Sequence, residues 1–407
     1  MIVPLLTAAA ESCGGKAGAL GTLLRAGLPV PDGFVVPLDA YRAAAPDLGL
    51  ETRAGQPDAA RQAIDAHPLP ADLLDALGRG LDALGDPPVA VRSSAANEDT
   101  AAASAAGQHE SILAVHGASA VVRAVRACWA SLHSRRAIDY RGVTGRDQPS
   151  GDPAMAVLIQ RHVDADVSGV MFTPSGPSGV TTIEASWGLG PSVVGGTVTP
   201  DAYHIAADGS VTHTTGTKRT RLDRHGAHLV ASDVPAARRH LPSIDDATAA
   251  RLTRLGHDAA AVLGGAQDIE WAIADRRIWL LQARPVTAAP PPRSGSTVAT
   301  AATLAGTPGS HGTATGTARI VRGPDDFTRV HPGDILVCPY TDPAWTPLLR
   351  VAAGIVTETG GVLSHAAIVA REYRIPAVLG IPTATTALHD GTTITIDGTA
   401  GTITTHA

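Results

Sequence analysis

The sequence predicts a mixed α/β and α+β protein of two domains, and two observations support this. The 407 residues are 44% hydrophobic and 17% charged, which is enough for two or three packed domains and argues against a disordered chain. A segment at 288–302 then interrupts the chain, because three consecutive prolines followed by Ser, Gly and Thr are typical of a linker. We therefore expect one domain at 1–287, a linker at 288–302 and a smaller domain at 303–407.

The larger domain interleaves helices with short strands. Ala/Leu periodicity predicts helices within 42–85, interrupted by loop at 54–58, and an amphipathic pattern predicts a further helix at 121–140. Short apolar runs predict strands at 89–92, 156–160, 170–172, 182–184 and 279–282. The alternation of the two element types is what assigns this part to the α/β or α+β class.

The smaller domain has the pattern of a compact α/β unit. Its length of about 105 residues is sufficient for an independent core. One helix is predicted after Ser364, which we expect to cap it. Short β-rich runs predict strands at 316–321, 335–337, 354–356, 377–379 and 392–396.

Charge and composition exclude several classes of function. The formal net charge is −6, from 32 basic and 38 acidic residues, which argues against a broad nucleic-acid surface. No apolar run approaches the roughly 18 residues of a membrane span, and the apolar start has no preceding basic residue, as a signal peptide would need. The three scattered cysteines form neither a disulfide framework nor a metal spacing. We expect a soluble cytoplasmic protein with no nucleic-acid or membrane partner.

Two motifs near the N-terminus suit phosphate groups. Small residues around Lys16, in the run GGKAG, let backbone N–H groups approach a phosphate and add a positive charge, although a Gly-rich helix start with an exposed lysine is an equal alternative. Arg92 ends a strand and is followed by two serines, the acidic run 97–99 and a small-residue stretch at 101–107 that could close over a ligand. The alternative for Arg92 is a structural ion pair at a surface turn.

A third motif predicts a β-hairpin with a turn at 275–277. Asp268, Glu270, Gln282 and Arg284 alternate with apolar residues, so they share one face of their strands. Carboxylate and amide oxygens suit Mg²⁺ bound to phosphates, and the arginine suits phosphate oxygens. An ordinary solvated strand face is the alternative.

The fourth motif, VTETGGVLSHAAIVARE, has His365 at the start of a helix after a Gly-Gly loop. An imidazole at a helix N-terminus lies in positive potential, which lowers its pKa and keeps it neutral and nucleophilic. The same backbone amides would stabilise a phosphoryl group on the ring. A packing role is the usual alternative for a single histidine, but the loop and helix context favours chemistry.

These motifs together resemble the phosphoenolpyruvate synthase, pyruvate phosphate dikinase and rifampicin phosphotransferase family. The run GGKAGALGTLLRAGLPVPDGFVVPLDAY is similar to the opening of the family's ATP-binding domain. AVRSSAANED, AAGQHES, CWASLHSRRAIDYR, MAVLIQRHV, SGVMFT, ASWGLG and QDIEWAI…LLQARPVT follow in family order. TDPAWTPLL…GIVTETGGVLSHAAIVAREYRIPAVLG resembles the mobile phosphohistidine domain. Nearly the whole chain is covered.

The resemblance implies an ATP-grasp-like domain that binds Mg·ATP, followed by a swivelling phosphohistidine domain. Lys16 and Arg92 would hold the phosphates, and Arg284 would stabilise the charge that is transferred. His365 would take the β-phosphate, leaving AMP. The Mg²⁺ ligands would be Glu270 and Gln282.

The remaining cofactor-binding residues implied for ATP lie on the hinge and the hairpin. They are Gln160, Arg161, His162, Val163 and Asp268. The hinge would meet the adenine mostly through its backbone.

Three positions depart from the family pattern. Pro191 replaces the usual acid after GLG, Ala105 replaces a common aromatic, and Arg374 replaces the usual Gly in REYGIP. None removes a residue of the implied chemistry, although the first two affect how the nucleotide site closes.

The identity of the phosphoryl acceptor is left open. The family's synthases carry an acceptor barrel of about 250 residues, whereas this sequence ends about 40 residues after His365. We therefore expect an ATP-dependent dikinase whose small-molecule acceptor is bound by a separate subunit. The alternatives are a self-sufficient kinase whose acceptor docks between the domains, and a non-enzymatic nucleotide-sensing or carrier protein.

Overall fold

The first β-sheet of the larger domain has five antiparallel strands in the computed structural model of the protein. The structure describes residues 2–50, 56–95, 110–134, 137–138, 154–176, 179–287 and 304–406. The spatial order of the strands is β1-β2-β5-β3-β4. They are β1 (Val3–Pro4), β2 (Gly33–Val36), β3 (Val89–Ala95), β4 (Ser111–Val115) and β5 (Met155–Arg161). The adjacent interior strands β3 and β5 are buried almost throughout, which explains the apolar runs at 89–91 and 155–159, whereas Arg92, Ser93 and Ser94 are buried polar residues.

In the described ranges, five helices of four or more residues with known bounds accompany this sheet, and their apolar residues contribute to one large core. They are α1 (Ala10–Arg25), α2 (Leu38–Ala44), α3 (Pro57–Ala66), α4 (Ala71–Leu84) and α5 (Ala118–Ser131). The core includes the fully buried Trp129, whose indole N–H donates to the Met155 carbonyl, so that its one polar atom is satisfied.

The second sheet has six antiparallel strands in the order β13-β12-β6-β7-β8-β9. Its strands are β6 (Val167–Phe172), β7 (Thr181–Trp187), β8 (Asp201–Ile205), β9 (Val211–Thr214), β12 (Gln267–Ala274) and β13 (Arg277–Pro285). A separate hairpin joins β10 (Thr220–His225) to β11 (His228–Asp233). Helices α6 (Pro191–Val194) and α7 (Asp246–Leu263) complete this half.

The register of the second sheet aligns polar residues on one face. Glu270 in β12 pairs with Gln282 in β13 on one side and with Val170 in β6 on the other, and Val170 pairs with Glu184 in β7. Directly paired residues of antiparallel strands project to the same face. Glu184 and Glu270 therefore lie two strand spacings apart on one face, about 10 Å.

The smaller domain contains an eight-stranded mixed sheet in the order β14-β21-β20-β16-β17-β18-β19-β15. Its strands are β14 (Leu304–Ala305), β15 (Thr307–Ser310), β16 (Thr313–Ile320), β17 (Ile335–Cys338), β18 (Gly354–Thr357), β19 (Ala377–Leu379), β20 (Thr393–Asp397) and β21 (Thr402–Thr405). β16 to β19 run parallel. The helices are α8 (Thr346–Leu349), α9 (His365–Tyr373) and α10 (Ala384–Ala387). Apolar clusters on both faces of the parallel strands form the core, as parallel sheets require.

The predicted mixed α/β class is confirmed: two antiparallel sheets with helices are followed along the chain by a small α/β part with a mixed eight-stranded sheet. Every predicted strand is present. The helix predicted at 121–140 is shorter, since its regular part ends at Ser131, and its predicted end near 141 lies outside the described residues. The linker at 288–302 also lies outside them, so the domain boundaries remain predictions.

In the described part of the chain, no helix combines the length and apolar character needed to cross a membrane.

Candidate active site

Arg92 connects the two sheets of the larger domain. It lies in β3, is 7% exposed, and extends its guanidinium to the hairpin of β12 and β13. Its Nη1 donates to the Leu281 carbonyl oxygen at 2.5 Å, and its Nη2 donates to Glu270 Oε2 at 3.0 Å and to Gln282 Oε1 at 2.7 Å. The rigid fork of an arginine suits several acceptors at once. Tertiary structure thus brings together three residues that are far apart in sequence.

Glu270 and Gln282 form a pair of oxygen donors that can hold a cation. They are cross-strand partners, and both side-chain oxygens converge on one nitrogen of a positively charged group. Mg²⁺ is usually bound by one or two protein oxygens, with phosphate oxygens and water completing an octahedron. The two oxygens of Glu270 and Gln282 match this pattern in number and type. Within the described ranges, no group of three or more His, Cys, Asp or Glu suited to a metal occurs.

Asp268 and Arg284 form a second cross-strand pair, one step along the same face. The Arg284 Nε and Nη2 both lie 2.8 Å from Asp268 Oδ2. Both side chains are largely buried. The hairpin turn has positive φ at Asp275 and Arg276, as a two-residue type I′ turn requires. The predicted hairpin and its shared polar face are therefore confirmed.

Lys16 is buried in α1, so the alternative of an exposed lysine is wrong. α1 is interrupted at Gly14, which has φ +76° and ψ 169°. Ser94, at the end of β3, binds this interruption, because its Oγ accepts from Ala17 N at 3.1 Å and donates to the Cys13 carbonyl at 2.8 Å. The helix also packs against β13. The GGKAG motif is therefore held against the strand that carries Arg92.

The predicted hinge, 160–163, crosses from the first sheet to the second. Gln160 is buried in β5, and its Nε2 donates to the Pro31 carbonyl at 3.1 Å, so its side chain has a structural role. Val163 packs against a small apolar cluster that includes Leu281, whose carbonyl binds Arg92. The hinge thus lies beside the polar site.

The side chains of Arg161 and His162 also contact other residues of the larger domain. The exposed Arg161 donates to the Leu84 carbonyl at 2.6 Å. His162 Nε2 lies 3.5 Å from Asp164 Oδ1, and burial lowers the pKa of His162. The Arg224 guanidinium, which binds Asp164, lowers the pKa of that carboxyl. The adenine contact of this hinge stays a prediction.

His365 is the first residue of α9, as predicted, and it is 4% exposed. Its Nδ1 lies 3.2 Å from the Thr341 Oγ1. In the tautomer whose Nδ1–H donates to Thr341, Nε2 carries the lone pair. The expectation that Ser364 caps the helix is wrong, because its Oγ donates to the Gly361 carbonyl at 2.7 Å instead. That bond tightens the Gly-Gly loop.

The loop at 359–364 contacts the second sheet of the larger domain. Glu184 in β7 is 2% exposed, and its carboxylate accepts from Val362 N at 2.6 Å and from Leu363 N at 3.1 Å. The two domains therefore meet just before His365, on the face of the sheet that also carries Glu270.

Charges at this contact are strongly perturbed. Burial raises the pKa of Glu184 to about 7, against the opposing effects of the Leu363 and Val362 N–H groups and of Arg371. Burial also lowers the pKa of Arg371 to about 10, against the opposing effects of Glu184, Asp268 and Glu372. Arg371 therefore stays charged at neutral pH, beside a carboxyl group whose pKa is raised towards neutrality.

Sequence reasoning did not identify Glu184 or Thr341 as site residues. Glu184 was placed only at the end of a predicted strand. The available signal was an acid inside a seven-residue strand, Thr181–Trp187, whose other members are apolar, small or hydroxyl-bearing. A buried acid of this kind needs partners. Its partners come from the other domain, which no local pattern reveals.

The departures from the family pattern have local explanations at two positions. Pro191 is the first residue of α6, where its missing N–H is tolerated. Arg374 ends α9 with φ +56°, the left-handed conformation in which glycine is usual, and its side chain is exposed. Ala105 lies outside the described residues, as do 97–99 and 101–107.

Comparison with known proteins gives matches over most of the chain. Residues 10–302 match the family model for the pyruvate phosphate dikinase AMP/ATP-binding domain, and residues 330–401 match that for the mobile domain of PEP-utilising enzymes. A probable phosphoenolpyruvate synthase of Methanothermobacter thermautotrophicus is 37% identical over 95% of this chain and 60% of its own length. The phosphoenolpyruvate synthase of Escherichia coli is 34% identical over 96% of this chain and 55% of its own. The chain thus spans less than two thirds of these relatives.

Proposed function

Because the chain belongs to the pyruvate phosphate dikinase family of ATP-dependent phosphotransferases, we propose that it cleaves ATP to AMP and carries the β-phosphoryl group on His365. The observation that supports this most directly is the docking of the loop 359–364 on the second sheet. That sheet face also carries the polar residues suited to Mg·ATP.

In this proposal the phosphates bind among the basic side chains of the larger domain. Lys16 and Arg92 contact phosphate oxygens, and Arg284 stabilises the charge that shifts during transfer. Arg92 already binds Glu270 and Gln282, so it would exchange some of these acceptors for phosphate oxygens. A Mg²⁺ ion held by Glu270 and Gln282 would neutralise phosphate charge.

The Nε2 of His365 is the proposed nucleophile. In the tautomer whose Nδ1–H donates to the Thr341 Oγ1, this bond orients the ring, and the Nε2 lone pair attacks the β-phosphorus. The N–P bond forms while the bond from the β-phosphorus to the oxygen bridging the α-phosphate breaks, and AMP leaves with that oxygen. The γ-phosphoryl group passes to water or inorganic phosphate.

The experiment that tests this is incubation with Mg²⁺ and ATP labelled at either the β or the γ position. We expect acid-labile, base-stable label on the protein from the β position, stoichiometric release of AMP, and loss of label in His365→Ala. His331→Ala, which changes a histidine of the same domain outside the proposed site, serves as the control and keeps the label. ADP as the sole nucleotide product would overturn the proposal.

For the acceptor, we propose pyruvate. The relatives are named for phosphoenolpyruvate, and pyruvate is the molecule that phosphorylation converts into it. Labelled phosphoprotein is isolated and chased with pyruvate, and label should appear in phosphoenolpyruvate. Label that stays on the protein would contradict pyruvate as an acceptor for this chain alone, and addition of a candidate acceptor-binding subunit then tests the separate-subunit prediction.

A further inference from the structure

Glu184 has an unusual set of partners for an acid in the middle of a sheet. It lies in β7, whose seven residues are all buried, and both of its oxygens accept backbone N–H groups from the other domain. Two charge-assisted hydrogen bonds from successive amides, Val362 and Leu363, fix the position and the orientation of the loop. If Glu184 served only the fold of the larger domain, its hydrogen-bond donors would be expected to belong to that domain.

The shape of the loop fits this carboxylate closely. A Cβ added to Gly361 would lie 2.2 Å from Glu184 Oε1, so only glycine permits the contact. A second contact runs nearby, where Gly360 N donates to the Val198 carbonyl at 3.1 Å and Thr359 Oγ1 donates to the Gly196 carbonyl at 2.6 Å. The loop is therefore held by backbone groups along its length.

Apolar packing surrounds these polar contacts. Leu363 and Ile368 of the smaller domain are buried in one cluster with residues of the larger domain, including Val170, Phe172 and Val198. Burial in this cluster strengthens the hydrogen bonds to Glu184, because water is excluded from them. Separation of the two domains would expose the same carboxylate to solvent.

The position of Glu184 in the sheet determines on which side of the sheet the docked loop lies. Glu184 and Glu270 share a face about 10 Å apart, with Val170 between them. His365 follows Leu363 by two residues. A loop anchored on Glu184 thus brings the imidazole to the side of the sheet that carries Glu270 and Gln282.

We propose that Glu184 is the positioning residue that docks the phosphohistidine loop over the nucleotide site. It acts by binding the Val362 and Leu363 amides rather than by touching the phosphate. This inference rests on the proposed function, since docking matters for catalysis only if His365 receives a phosphoryl group.

The test compares loop protection with phosphorylation in the full chain. Amide hydrogen exchange of 359–364 is measured without nucleotide, and the rate of β-phosphate transfer to His365 is measured separately. We expect Glu184→Gln, which keeps the volume but replaces one acceptor oxygen with a donor, to remove protection at Val362 and Leu363. Loss of one of the two acceptor oxygens leaves a buried amide N–H unpaired, which predicts a rate about tenfold to a hundredfold lower.

A loop-side variant keeps the test independent of the fold of the larger domain. Gly361→Ala places a methyl group against Glu184 and should give the same two effects. Gly323→Ala is the matched control, because the same substitution in the same domain meets no atom within 4 Å. It should change neither measurement.

The outcomes separate the two proposals. Loss of protection and of phosphorylation in both Glu184→Gln and Gly361→Ala supports the docking role. Unchanged protection or an unchanged rate in both variants, with the chain folded, overturns it. Protected amides in a wild-type protein that takes no label from ATP would leave the docking contact intact and overturn the proposed function.

Discussion

At the residue scale, Gly14 shows how a single backbone conformation assembles part of the site. Its φ of +76° interrupts α1, and a Cβ there would lie 2.1 Å from the Ser94 carbonyl oxygen. The interruption allows Ser94 to bind both Cys13 and Ala17. Lys16 follows two residues later, so its position depends on this contact.

We predict that Gly14→Ala destabilises the protein by about 1–3 kcal/mol, because alanine is strained at this φ and its methyl group meets a backbone oxygen. Affinity for Mg·ATP should fall as Lys16 is displaced. Chemical denaturation and nucleotide titration measure the two effects.

Gly78→Ala provides the matched control. Gly78 lies within α4, with no atom within 4 Å of an added Cβ. A helical glycine costs about 0.5–1 kcal/mol relative to alanine, so this variant should be more stable and bind nucleotide normally. Equal stability changes in the two variants would contradict the role assigned to the interruption at Gly14.

At the element scale, the contact between β7 and the loop before α9 is expected to couple docking of the two domains to protonation of Glu184. The pKa of Glu184 is raised from 4.5 to about 7 in the docked protein, and Arg371, with its pKa of about 10, stays charged throughout this range. Exposure after separation of the domains should return Glu184 towards its ordinary pKa. Docking therefore takes up a proton between these two values.

The sign follows from the raised pKa. The docking equilibrium should be most favourable below about pH 4.5, weaken by up to tenfold per pH unit as the pH rises towards about 7, and become constant above that. Fluorescence energy transfer between labels on the two domains measures the docked fraction. The docked fraction is compared between pH 5 and pH 8, the range in which the pKa of Glu184 predicts the change.

Glu184→Gln should abolish this dependence, because glutamine does not titrate. Protonated Glu184 keeps acceptor lone pairs on both oxygens and so still binds both amides, whereas the amide nitrogen of glutamine cannot accept, which is why the variant is expected to dock weakly at every pH. Asp208→Asn, at the exposed turn between β8 and β9, removes a carboxylate of the same sheet and should leave the pH profile unchanged. A docked fraction that rises with pH in the wild-type protein would show that the proton linkage has the opposite sign.

At the scale of the whole molecule, the sheet with Arg92 and the sheet with Glu270 and Gln282 are in contact, and the smaller domain contacts the second sheet through the loop before His365. The first two are already joined by hydrogen bonds of the guanidinium. A ligand that binds the folded chain stabilises it by RT ln(1 + [L]/Kd), about 2.7 kcal/mol at a concentration of 100 Kd.

We therefore predict that Mg·ATP raises the melting temperature of the whole chain, and that ATP without Mg²⁺ raises it less. Glu270→Gln should reduce the difference between the two, because it removes the charged oxygen proposed to hold the metal. Glu11→Gln, an exposed acid on α1, is the control and should keep the difference. Identical thermal shifts in the presence of Mg²⁺ and of a chelator would contradict the metal assignment. Differential scanning fluorimetry is the measurement.

Elements whose patterns are local could be predicted from the amino-acid sequence. The hairpin of β12 and β13 was predictable, because its alternation and its two-residue turn are encoded within 19 residues. The helix that begins at His365 was predictable for the same reason. β10 and β11 were missed, because their residues are exposed or half-buried and so provide no apolar periodicity.

Which residues contact one another across the sheets and domains could not be predicted from local patterns. Arg92 reaches Gln282 across 190 positions and Glu184 reaches Val362 across 178, and such pairings depend on how sheets and domains pack rather than on any local preference. Ser364 likewise is a residue type that often caps a helix N-terminus, but its hydroxyl donates to the Gly361 carbonyl within its own loop. Residue type and spacing indicated which chemical groups the candidate site contains. The positions of those groups depend on long-range packing, because contacts between distant segments result from many residues of the chain acting together.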